Sequence, residues 1–257
     1  MGHSRYDSLP KTKRWRQVIE AFSRLDSTPE ELVAATSQAA GDSLWQTRKD
    51  PLVFKSCWLL LTLPLLARSD QLDQWLREVG TPPGGDYKRD LLTGTRKFLD
   101  QAATRTPLRN IFSETARLAF FETLATAFNQ SNLVLFGAEP EQVRKSLSRY
   151  ASPEGFQTLA ETFFRAYLKR SLANVLEKEI PNHHGIAERF AGANDTRELE
   201  ESLNAYCAET TALLSQYARD WYAKNAIHRQ PTEGRTRAFA AYAVEKLVED
   251  LVREQAQ

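Results

Sequence analysis

The sequence predicts an all-α protein, an irregular bundle of about nine or ten helices, and three observations carry that expectation. Apolar residues recur at i, i+3, i+4 and i+7 in nearly every readable segment from Lys13 onward. Helix starts are marked by a capping residue followed by proline, as in Thr28-Pro29, Asp50-Pro51 and Ser152-Pro153. The helix formers Ala, Leu, Arg, Glu and Gln are abundant, whereas Val, Ile and Thr rarely occur in runs.

Residues 1–12 read as a basic arm ahead of a helical domain over 13–257. The first helix should begin after Pro10 to Thr12, with Trp15, Val18, Ile19 and Phe22 on its inner face. Thr28-Pro29-Glu30-Glu31 spells a capping box, opening a helix expected to reach about Ala40 and to end at Gly41. Asp50-Pro51 opens the most apolar helix, with Pro64 expected to kink it. A short helix carrying Leu72, Trp75, Leu76 and Val79 stops at Gly80. Thr81-Pro82-Pro83-Gly84-Gly85 is then the strongest loop signal, readable as a subdomain boundary or as an ordinary connection.

A helix over 86–103 follows, and Thr106-Pro107 starts a long one with Ile111, Leu118, Phe121, Leu124 and Phe128 on its inner side. Leu133 to Gly137 resembles a strand but has nothing to pair with, so it is read as a buried connection. Pro140 opens a short helix, and Ser152-Pro153 one that runs to Ile180. Asp195-Thr196-Arg197-Glu198 spells a second capping box. The helix it introduces is expected to bury Leu199, Leu203, Tyr206, Thr210, Leu213, Tyr217 and Trp221. The last helix shows a narrow seam of Phe239, Tyr242, Ala243, Leu247 and Leu251.

With 257 residues, 42% of them hydrophobic and 26% charged, the chain can bury a substantial core. A net charge of +1 excludes a generally basic coat, so any nucleic-acid surface must be local. No secretory pattern opens the chain. The uncharged stretch Ser56 to Ala67 is short for a bilayer span, so a cytoplasmic protein without a membrane segment is expected. Cys57 and Cys207, among apolar neighbours, read as reduced, buried thiols.

Three places invite a functional reading. Residues 1–16 hold Arg5, Lys11, Lys13, Arg14 and Arg16 against Asp7 alone, a local charge of +4 that leaves −3 on the rest. With Tyr6 and Trp15 among them, these cations suit phosphates and exposed bases, or an acidic protein partner. The plainer reading makes Trp15 a core anchor among solvated charges. His183 and His184, with Glu188 one helical turn beyond, offer imidazole and carboxylate to a metal. They lack the spacing of a full ligand set, so no metal and no cofactor is expected. His228 and Arg229, with Arg235 and Arg237, form a basic loop ahead of the last helix, a candidate phosphate or partner contact.

No phosphate-binding glycine loop, nucleophile elbow or paired catalytic carboxylate is legible. The segments Arg5 to Trp15, Ile180 to Gly185 and Trp221 to Lys224 are similar to stretches of uncharacterised all-helical bacterial proteins; the resemblance implies no activity. The leading expectation is therefore a non-enzymatic adaptor or accessory subunit of a larger bacterial assembly, with a protein partner. A nucleic-acid-binding module using the arm is the alternative, and a metal-dependent enzyme at His183 and His184 the least favoured reading.

Overall fold

The computed structural model describes residues 12–104, 111–131, 138–179, 193–225 and 231–253. Among them are ten α-helices and no strand. They are α1 (Lys13–Ser23), α2 (Pro29–Gln46), α3 (Pro51–Arg68), α4 (Leu72–Glu78), α5 (Tyr87–Thr104), α6 (Ile111–Gln130), α7 (Pro140–Ser148), α8 (Pro153–Glu179), α9 (Ala193–Asn225) and α10 (Glu233–Arg253). The all-α bundle expected from the sequence is what forms. Leu133 to Gly137 and the loops holding His183 and His228 lie outside the described residues.

Most helix starts follow the local chemistry that marked them. Thr12 caps α1, its hydroxyl accepting from the Trp15 N–H. Thr28 and Glu31 close the capping box in both directions, at 3.1 and 3.2 Å. The Asp50 carboxylate accepts from the Leu52 N–H at 2.7 Å, with Pro51 in the first turn of α3. Helix α4 ends as its glycine predicted. Gly80 takes a φ of +73°, and the Thr81 N–H returns to the Leu76 carbonyl at 2.8 Å. Asp70 plays the same part after α3 with a φ of 54°, while the Gln71 N–H bonds the Leu66 carbonyl.

Two expected boundaries move. Helix α2 does not stop at Gly41; it runs to Gln46 and closes in a 3-10 turn, Thr47–Lys49. Gly41 is buried inside the helix, where a β-carbon would stand 3.9 Å from Val248 of α10. A glycine read as a stop signal therefore lies inside the helix, beside α10 and with room for a β-carbon. The second capping box also fails, because α9 begins at Ala193 and Asp195 already lies in its first turn.

Helix α3 is the hub. It packs against α4, α5, α6, α7, α8 and α10, and only a helix apolar on all sides can satisfy so many neighbours. By length and composition it is the one described helix that could cross a membrane, yet most of it is buried inside the bundle. It continues through Pro64 to Arg68. Around it, α8 lies along α6 and α9, while α10 closes on α2, α3 and α9. One hydrophobic cluster joins Trp15, Val18 and Phe22 of α1 to Leu72 and Leu76 of α4, Tyr87 of α5 and Phe239 of α10, so it spans both sides of residues 81–85.

The interior also carries a hydrogen-bonded polar string. The Asp50 carboxylate accepts a second bond, from the Ser113 hydroxyl of α6. The Tyr167 hydroxyl of α8 donates to Thr47 at 2.8 Å, and Thr47 donates to the Leu44 carbonyl at 2.6 Å. Thr115 and Ser171 meet at 3.2 Å between α6 and α8. These bonds satisfy buried hydroxyls and set the register of α6 and α8 against the start of α3.

A candidate interaction surface on α9 and α10

Those of the picked-out residues that the structure describes fall in two places, α1 and the start of α10. Arg5, Tyr6, Lys11, His228 and Arg229 lie outside the described residues, as do His183, His184 and Glu188. Lys13, Arg14 and Arg16 sit exposed on α1, and Arg14 approaches Asp42 of α2 at 3.4 Å. Trp15, between them, is 4% exposed and packs in the core. A buried indole is no platform for a nucleotide base.

Arg235 and Arg237 stand in the first turns of α10, and Arg237 reaches α3. The Arg237 guanidinium lies 4.1 Å from the centre of the Phe54 ring, and the Lys55 ammonium is ion-paired to Glu233 at 2.7 Å. Lys55 also sits 5.1 Å from the rings of both Phe54 and Phe98. These cations thus join the last helix to the hub through ring faces and one carboxylate, a structural use of their charge.

The buried titratable groups are likewise structural. Burial pushes the Cys57 thiol far up and the Cys207 thiol up to about 12, so neither is a nucleophile at neutral pH. The Tyr87 hydroxyl donates to Asp73 at 2.5 Å, and Arg144 bonds the same oxygen at 2.7 Å. Burial works to raise the Asp73 carboxyl, but those two hydrogen bonds and the Arg144 charge hold it below the usual range. No cluster of three or more His, Cys, Asp or Glu side chains suited to a metal occurs among the described residues.

The feature that stands apart is the outer side of the α9–α10 pair. Helix α9 was expected to bury Leu213, Tyr217 and Trp221. It buries Leu199, Leu203 and Thr210 as expected, and Cys207, Thr211, Leu214, Ala218 and Tyr222 in place of the rest. That turns Leu213 outward, 61% exposed, and leaves Tyr217 and Trp221 half-buried. Across from them on α10, Tyr242 is 39% exposed rather than part of a buried seam. The Tyr217 and Tyr242 rings are 4.5 Å apart, Tyr217 stacks on Phe239 at 5.4 Å, and Trp221 meets Phe239 at 4.8 Å.

The result is a continuous apolar ridge whose lower edge is fixed in the core by Phe239 and Phe156, 5.4 Å apart. Burial, reinforced by the neighbouring Tyr242, pushes the Tyr217 phenol up to about 12, so it stays neutral at neutral pH. Rigid aromatic rings over a packed base lose little entropy on contact with a partner. The sequence did contain a clue to this rotation. Cys207, Thr211, Leu214, Ala218 and Tyr222 keep a helical spacing of their own, one position after the larger residues.

Leu118, expected on the inner side of α6, is also displaced to the surface at 41% exposed. Phe112, Ala116, Ala119, Phe120, Leu124, Ala127 and Phe128 form the buried face there. Ile19 of α1 is 40% exposed for the same reason, while Trp15, Val18 and Phe22 are buried. Comparison of the chain with protein-family models, curated proteins and solved structures finds no match.

Proposed function

We propose that the protein is a non-enzymatic interaction module, an adaptor or accessory subunit, and that it meets its partner through the outer face of α9 and α10. The observation that carries this reading is the ridge of Leu213, Tyr217, Trp221 and Tyr242, apolar side chains grouped at the surface over a packed base. Buried thiols, and the buried hydroxyls of Thr47, Tyr167, Thr115 and Ser171 joined in hydrogen bonds between helices, agree with a scaffold rather than a reaction centre.

The test is affinity capture of the tagged chain from its host, with the lysate divided and one half treated with nuclease, beside the double variant Leu213→Asp, Tyr242→Asp. A specific protein retained in both halves by the parent and lost by the folded variant is the expected result. Retention by both chains would move the interface elsewhere, and enrichment lost with nuclease would favour nucleic-acid binding.

A further inference from the structure

We draw no further inference here: the strongest candidate, the groove between the start of α2 and the N-terminal half of α9 lined by Pro29, Glu30, Glu198, Glu201 and Ser202, is an acidic cluster in which Glu201 already pairs with Arg197 at 3.4 Å, and nothing in the structure shows what covers it.

Discussion

Helix α1 and the outer face of α9 look alike in sequence, since each mixes aromatic rings with charges, and the structure treats them in opposite ways. On α1 the tryptophan goes inside with Val18 and Phe22, while Lys13, Arg14 and Arg16 point to solvent and Ile19 is left at the edge. On α9 the smaller residues Cys207, Thr211 and Ala218 take the core, and Leu213 and the edge of Tyr217 remain at the surface. An aromatic residue in a charged stretch is therefore no signal of binding by itself. The informative fact is which of two apolar stripes a helix turns inward, and only the neighbouring helices fix that.

The comparison breaks if Trp15 and Leu213 cost the same to replace. Trp15→Ala should destabilise the fold by about 3–5 kcal/mol, because it opens a cavity in the core. Urea unfolding followed by circular dichroism measures it, and a loss below about 1 kcal/mol would mean that α1 contributes little to the main cluster. Next in size is Gly155→Ala, at the first turn of α8. A β-carbon there would stand 2.4 Å from the Tyr150 Cα and 2.8 Å from the Arg149 carbonyl, both backbone atoms with little room to yield. Overpacking of this kind costs about 1–3 kcal/mol, visible as a lowered melting temperature.

Asp50→Ala should cost a similar amount or somewhat less, about 1–3 kcal/mol. It removes the α3 cap and leaves the buried Ser113 hydroxyl without its acceptor. A fully active capping role predicts that Asp50→Asn recovers part of the loss, since the amide oxygen can still accept from Leu52. A smaller effect is expected in acid. The Asp73 carboxyl is held below its unfolded value, so its contribution is complete above about pH 4 and is lost as the pH falls from there through the depressed folded value. Unfolding curves at successive pH values should therefore show a shallower acid loss in Asp73→Asn than in the parent.

The smallest effect belongs to the ridge, and it sharpens the comparison most. Leu213→Asp should change stability by no more than about 0.5 kcal/mol, as an exposed position does. If that substitution unfolds the protein, Leu213 is a core residue in solution and the surface reading of α9 falls. A stable Leu213→Asp beside a destabilised Trp15→Ala would establish that α9 turns Leu213 outward while α1 turns Trp15 inward.

What the sequence determined by itself was local. Caps at Thr12, Thr28 and Asp50, the stop at Gly80 and the proline starts of α2, α3, α7 and α8 follow from bonds within a few residues, so each is legible without the rest of the fold. The hub position of α3 was legible too, because a helix apolar on every side has no other stable place in a bundle. The tertiary structure alone decided the passage of α2 through Gly41, the start of α9 at Ala193 and the rotation of α6 and α9. The passage of α2 through Gly41 runs beside Val248 of α10, and the rotation of α9 sets Tyr217 on Phe239. A helix with two apolar stripes, as α9 has, can be turned either way at little difference in its own energy. Packing on α2, α8 and α10 selects one, and with it the face left outside.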